Sequence, residues 1–256
     1  MTASSDVALT PLDAWITEKI GGAGRRLDLS HLHAYQLERL RDTLALVQAR
    51  SRFYRGLLGI RPPKISGLED LARLPFTTAD DLRQDPYAFL CVHPDEVTRI
   101  VTLPTSGTTG PAKRLFFSAD DQELTRDFFH HGMSTMVCPG DRVAILLPGS
   151  TPGSVGALLQ EGLARMDVEG IVLGPVHDPE ETLRRLAEEG TDALVGSPVQ
   201  VLGLARLSRA RGVPLKVKSV LLSTDHLPRA VREAIEASWS CSVFDHYGMT
   251  EMGLGG

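Results

Sequence analysis

Several things are scarce in this chain of 256 residues, and each shortage excludes a class of protein. Long apolar runs are missing. Stretches such as Val143–Leu147 are far shorter than the roughly 20 residues that cross a bilayer. A basic excess is missing too: 27 Lys and Arg face 32 Asp and Glu, for a net charge of −5. That balance argues against a nucleic-acid groove and against an anionic membrane surface. Cysteine is rare. Cys91, Cys138 and Cys241 form no CxxC, and three thiols cannot all pair, so a reducing cytoplasm is the expected compartment. The first ten residues lack a basic stretch followed by an apolar one, so no signal peptide is expected. What remains is ordinary: 42% hydrophobic and 23% charged residues, enough for a buried core.

The pattern along the chain changes near residue 97, which suggests a helical segment over 1–96 and an α/β region over 97–256. In the first part, Ser30 is a candidate cap for a helix on which Leu37, Leu40, Leu44 and Val47 recur at helical spacing. Thr78-Ala-Asp-Asp81 has the form of a capping box, and Asp85-Pro86 should end that helix. After residue 97, short β-rich runs alternate with amphipathic stretches. Strands are expected at 97–103, 114–117, 142–147, 168–173, 192–195, 217–222 and 242–246. Helices are expected from Ser118 to about residue 136, near 154–165, from the Asp178-Pro179 N-cap onward, and near 198–211 and 228–238. Apolar strands alternating with helices predict an α/β fold, a mostly parallel sheet flanked by helices. In such sheets ligands bind beyond the carboxyl ends of the strands. The two least ordinary loops fall at 104–113 and 247–256.

The first loop reads Pro104-Thr-Ser-Gly-Thr-Thr-Gly-Pro-Ala-Lys113. Its glycines allow consecutive backbone N–H groups to converge, its hydroxyls add donors and its lysine adds positive charge, a combination suited to a polyphosphate. It is not a Walker A loop: counted from Gly107, the second glycine position holds Ala112, and Arg114 follows the lysine. The second reads Asp245-His-Tyr-Gly-Met-Thr-Glu251, in which an aromatic ring, a hydroxyl and a carboxylate offer stacking, a phosphate hydrogen bond and a Mg²⁺ ligand.

Together and in this order, the two motifs resemble the adenylate-forming (AMP-binding) superfamily of acyl- and aryl-CoA synthetases. Leu74-Pro-Phe-Thr-Thr-Ala-Asp-Asp-Leu-Arg83 resembles its phenylacetate–CoA ligase branch, and the likeness runs over about residues 30–256. The resemblance implies the large N-terminal domain of such an enzyme, in part, preceded by a helical segment. It also implies site residues. Thr105, Ser106, Gly107, Thr108, Thr109, Gly110 and Lys113 would cradle the ATP β- and γ-phosphates. Asp245 would accept the adenine amino group and Tyr247 would pack on the ring. Thr250 would contact the α-phosphate and Glu251 would ligate Mg²⁺. Lys113, Thr250 and Glu251 are thus the expected catalytic residues. Ser223, Thr224 and Asp225 occupy the adenine-pocket segment but depart from the family's Gly-Ala-Glu pattern. Gly248 and Met249 complete the nucleotide stretch and, with the loop 148–154, are candidates for an acyl wall; that loop serves equally well as sheet-edge packing.

The implied reaction joins a small carboxylic acid, aryl or arylacetic, to ATP and then to the thiol of coenzyme A. Two readings stand beside it: an enzyme that loads a carrier protein or protein thiol, and a non-catalytic nucleotide-binding fragment. The family's ribose-binding Asp, its phosphate-contacting Arg and its C-terminal lid have no counterpart here. A truncated chain is therefore expected, one that forms a homo-oligomer or associates with a missing C-terminal portion. His130 and His131 are adjacent on a helix and diverge by about 100°, so they read as surface or helix-end histidines rather than one site. Cys138 and Cys241 read as small core residues, and Trp15 and Trp239 as packing residues.

Overall fold

The computed structural model describes residues 12–22, 27–61, 63–103 and 112–253. The chain divides into two compact units, residues 12–120 and 121–253, with the boundary in the first turn of a helix. The change of sequence pattern at residue 97 marks something else, the point where strands begin.

In the first unit, α1 (Leu12–Lys19), α2 (Leu29–Arg50), α3 (Arg52–Leu58) and α4 (Ala79–Gln84) precede a hairpin of β1 (Val97–Leu103) and β2 (Lys113–Ser118). The apolar stripe of α2 is where its spacing predicts: Leu44 is buried, and Leu37, Leu40 and Val47 are half-buried. Its cap is not Ser30 but Asp28. The Asp28 carboxylate accepts the Ser30 N–H at 3.0 Å and the Ser30 hydroxyl at 2.7 Å. Both residue types cap well, and the chain leaves its extended conformation at Asp28, which puts Ser30 inside the helix. The Thr78–Asp81 capping box forms as expected, and Asp85 ends α4 and starts the turn Pro86–Phe89.

Ser51 joins these pieces. It is fully buried, ends α2 and caps α3 by accepting the Tyr54 N–H at 3.2 Å, and its hydroxyl donates to the Ala88 carbonyl at 2.8 Å. Phe53, next in the chain, stacks on Phe89 with ring centroids 4.1 Å apart. Ser51→Ala removes a cap and leaves a buried carbonyl without its donor. A loss of about 1–2 kcal/mol is expected in urea unfolding, with the slope unchanged.

In the second unit a five-stranded sheet runs in the order β4-β3-β5-β6-β7. Its strands are β3 (Arg142–Ile145), β4 (Glu169–Val172), β5 (Ala193–Gly196), β6 (Ser219–Leu222) and β7 (Ser242–Asp245), and every neighbouring pair is parallel. The helices are α5 (Ala119–Met133), α6 (Val155–Ala164), α7 (Pro179–Glu188), α8 (Pro198–Arg211) and α9 (Arg229–Trp239). All begin and end close to where the sequence places them; α5 stops short of residue 136. Asp178 caps α7 as predicted, accepting the N–H groups of Glu180 and Glu181 at 2.9 and 3.1 Å.

Strand alternation sorts the core onto two faces. Ala144, Leu146, Leu194, Val220 and Leu222 pack with Leu183, Leu186, Val201, Leu204, Ile235 and Trp239, which come from α7, α8 and α9. Val143 and Ile145 point the other way and are equally buried, as are Leu159 and Leu163 on α6. The chain leaves β3 in one direction along the sheet and returns past it to β5. Right-handed crossovers therefore put α6 on the face opposite α7, α8 and α9.

Three charged groups tie the amino ends of the strands. Lys218 reaches Asp141 and Asp192 at 2.8 Å each, and Asp192 also accepts the Arg142 N–H at 3.0 Å. The hydrogen bond from Lys218 outweighs partial burial and holds the Asp192 carboxyl below the usual carboxylate range. A depressed carboxylate stabilises the fold above its unfolded pKa, and that contribution disappears as pH falls through the folded value. Wild type should therefore exceed Asp192→Asn in thermal midpoint at pH 7, by about 1 kcal/mol of stability. The gap should close below about pH 4. A gap that is constant from pH 7 to pH 3 would contradict the assignment.

The thiols are free. Cys241 packs against the core as expected, and burial pushes its thiol up to about 11. Cys138 is a correction: it is exposed on the turn before β3, where its N–H donates to the Asp141 carboxylate at 2.9 Å. That turn is polar and bends around Gly140, which has φ +89°, and it leaves the thiol at the surface. Trp239 is a packing residue, and its indole N–H donates to Ser208 Oγ at 3.2 Å.

Candidate nucleotide site

The carboxyl ends of β6 and β7 create a hollow. The parallel register sets Leu222 beside Asp245, and the His246 N–H continues the ladder to the Leu222 carbonyl at 2.9 Å. The next residues on the two strands are therefore neighbours. Ser223 Oγ lies 2.9 Å from His246 Nδ1. Beyond this pair, Thr224, Asp225, His226, Leu227, Asp245, His246, Tyr247 and Gly248 line a hollow of about 300 Å³. That size is at the lower end of small-molecule sites.

Each wall has a local cause. Thr224 stands at φ +74°, a conformation that β-branched residues rarely adopt, and this turns the chain sharply after β6. The extended backbone at 245–247 alternates its side chains. Asp245 and Tyr247 are exposed, the tyrosine at 67% of its surface, while His246 turns inward against the Phe128 ring, centroids 5.7 Å apart. Burial lowers the proton affinity of His246, and its Nε2 is enclosed with no hydrogen-bond partner among the described residues. The sequence signal for His246 was its place at a strand end, but its link to Ser223 rests on a register that spacing does not reveal.

Of the residues expected from the motifs, Thr224, Asp225, Asp245, Tyr247 and Gly248 line this hollow, and Ser223 braces it through His246. Met249, Thr250 and Glu251 follow directly. Met249 begins and Thr250–Met252 forms a short 3₁₀ turn that exposes the Glu251 carboxylate, and none of the three lines the hollow. Lys113 opens β2, paired with Leu103 across the hairpin. Thr105, Ser106, Gly107, Thr108, Thr109 and Gly110 lie outside the described residues. The loop 148–154 folds back on α6: the Gly156 N–H donates to the Pro148 carbonyl at 2.8 Å, and a Cβ on Gly156 would meet that oxygen at 2.8 Å. His130 and His131 do not diverge as adjacency predicts; their rings approach to 4.6 Å between centroids.

The hollow's chemistry suits a purine nucleoside. An open aromatic face offers stacking, and two exposed carboxylates, Asp225 and Asp245, accept hydrogen bonds. The exposed Glu251 is an oxygen donor of the kind Mg²⁺ prefers, and a phosphate-bound Mg²⁺ needs only one or two such carboxylates.

No protein-family model matches the chain. In sequence it is similar to phenylacetate–coenzyme A ligases. It is 28% identical to that of Thermus thermophilus over 235 residues, which are 86% of this chain and 51% of that protein. It is 28% identical to that of Pseudomonas putida over 232 residues, with the same two shares, 86% and 51%. For that of Escherichia coli the identity is 26% over 236 residues, 88% of this chain and 52% of that one. The chain thus spans about half the length of the curated relatives it matches. In structure it is similar to a 2-hydroxyisobutyryl-CoA ligase crystallised in an open conformation with 2-HIB-AMP and CoA. The TM-score is 0.75 at 21% identity, over 89% of this chain and 56% of that one. The same ligase in its thioesterification state gives 0.75 at 22% identity, over 89% and 51%. The chain is therefore similar in sequence to phenylacetate–coenzyme A ligases over about half their length, and its fold is like that of the 2-hydroxyisobutyryl-CoA ligase over about half of that chain.

Proposed function

We propose that this chain is the nucleotide-handling portion of an ATP-dependent acid–thiol ligase of the phenylacetate–CoA ligase kind. The observation that carries the reading is the hollow beyond β6 and β7, where residues picked out by the motif gather at the strand ends. Similarity to phenylacetate–CoA ligases over 86% of the chain supports it. The substrate class is a small aryl or arylacetic acid, and the thiol is that of coenzyme A.

In this reading a carboxylate oxygen of the acid attacks the α-phosphorus of ATP, and the bond to pyrophosphate breaks. The thiol then displaces AMP from the acyl carbon. Neither step needs a covalent enzyme nucleophile, so alignment and charge neutralisation provide the rate. Tyr247 packs on the adenine and Asp245 accepts its amino group. Thr250 donates its hydroxyl to the α-phosphate. Ser106 to Gly110 and Lys113 hold the outer phosphates with backbone N–H groups and an ammonium. Glu251 would hold Mg²⁺, whose charge would offset that of the phosphates.

Two measurements test this. Calorimetric titration with ATP and Mg²⁺ should give one site per chain and reject GTP, which carries an oxygen where Asp245 would accept the adenine amino group. Exchange of pyrophosphate into ATP should respond to aryl and arylacetic acids and not to amino acids. Absence of ATP binding under any Mg²⁺ condition would defeat the reading.

A further inference from the structure

Among the described residues, one set of metal-ligating side chains other than those of the strand-end hollow converges. Asp127, His130 and His131 on α5 each present a ligand atom, and these atoms lie within 4.8 Å of one another. Helix geometry explains why neighbours in sequence meet. At 3.6 residues per turn, His130 and His131 lie at about −60° and +40° around the axis from Asp127. They straddle it one turn further on. Helical side chains lean toward the amino end, so both rings tip back over the turn that holds Asp127. The ring centroids are 4.6 Å apart with planes inclined by 40°. His131 Nδ1 is 3.4 Å from the Asp127 carboxylate and 2.9 Å from the Asp127 carbonyl.

The setting is partly shielded. The side chains of Asp127 and His131 keep 20% and 32% of their surface, and His130 is half-buried. The helix is pinned where the set lies. Gly162 on α6 approaches so closely that a Cβ there would stand 2.9 Å from the Arg126 carbonyl oxygen and 3.2 Å from the His130 backbone nitrogen. Arg165 acts on His130 with like charge, but its guanidinium pairs with Glu123 at 2.8 Å, and the Asp127 carboxylate supplies negative charge at the centre.

We propose that Asp127, His130 and His131 form a site for a divalent transition cation of the zinc type, bound by two imidazole nitrogens and one carboxylate oxygen. The donor set selects the ion class. Imidazole with carboxylate suits Zn²⁺ and Co²⁺, whereas Mg²⁺ and Ca²⁺ prefer oxygen alone. Ligands on one zinc at about 2.1 Å stand at most about 4.2 Å apart, so atoms that already lie within 4.8 Å of one another have little distance to close. Three protein ligands leave a position for water. The ion would fasten the last turns of α5, using none of the residues assigned to nucleotide or acid.

The test is calorimetric titration of the full chain, stripped with EDTA, with Zn²⁺. One Zn²⁺ per chain is expected, and His130→Gln with His131→Gln should weaken it at least tenfold. The metal-free variant should match wild type in circular dichroism and thermal midpoint. A second measurement uses the unaltered protein. Zn²⁺ should shield His130 and His131 from diethyl pyrocarbonate, mapped by mass spectrometry, while the exposed His31 and His93 stay reactive. No binding, equal binding by the variant, or shielding only of other histidines overturns the proposal.

Discussion

Leu222→Ala is expected to lower the unfolding free energy by about 2–5 kcal/mol, a large share of the roughly 5–15 kcal/mol that holds a domain of this size. Leu222 is fully buried at the end of β6, in the cluster that includes Leu204, Ile235 and Trp239. Truncation removes apolar contacts and leaves a cavity that the flanking strands β5 and β7 cannot collapse into, because ladder hydrogen bonds fix them on both sides. Urea unfolding followed by far-ultraviolet circular dichroism measures the loss, and Trp239 fluorescence reports on the same cluster. Leu222→Met keeps the volume and should cost less than about 1.5 kcal/mol. The effect should also reach the hollow, since Leu222 pairs with Asp245 and accepts the His246 N–H. A loss below 1 kcal/mol for the alanine variant would show that this end of the sheet is loosely packed.

Tyr247→Ala should leave the fold almost unchanged and weaken ATP binding. Stacking of a base on an aromatic side chain contributes about 1–3 kcal/mol by alanine substitution, so the dissociation constant should rise roughly 5- to 150-fold. The ring is two-thirds exposed and supports little of the core, so unfolding midpoints should agree with wild type. Tyr247→Phe keeps the π-face and should bind ATP nearly as well. Calorimetry on the three proteins separates the effects. Equal ATP affinity in Tyr247→Ala would remove Tyr247 from the nucleotide site, and a parallel loss in Tyr247→Phe would assign the energy to the hydroxyl.

Particular residues show how far reading the chain alone reaches. The Thr78–Asp81 box and the Asp178-Pro179 start were legible because a cap acts within three residues. Asp28 was missed because it and Ser30 are equally good caps two positions apart, and the path of the chain chooses between them. Ser51 carries no local signal for its bond to Ala88, which lies 37 residues away. Adjacency suggested that His130 and His131 would separate; the lean of helical side chains and the position of Asp127 brought them together.

By itself the sequence determined the elements: a helical stretch, then strands of apolar residues alternating with amphipathic helices, and unusual residues placed just after strand ends. Those features depend on the spacing and capping of residues a few positions apart, so the local order of the chain carries them. Only the tertiary structure decided that β3 lies between β4 and β5, that Ser223 meets His246, and that Asp225 and Asp245 share a hollow. Each of these depends on which strand pairs with which and in what register, and that choice is made by burying both faces of the sheet at once.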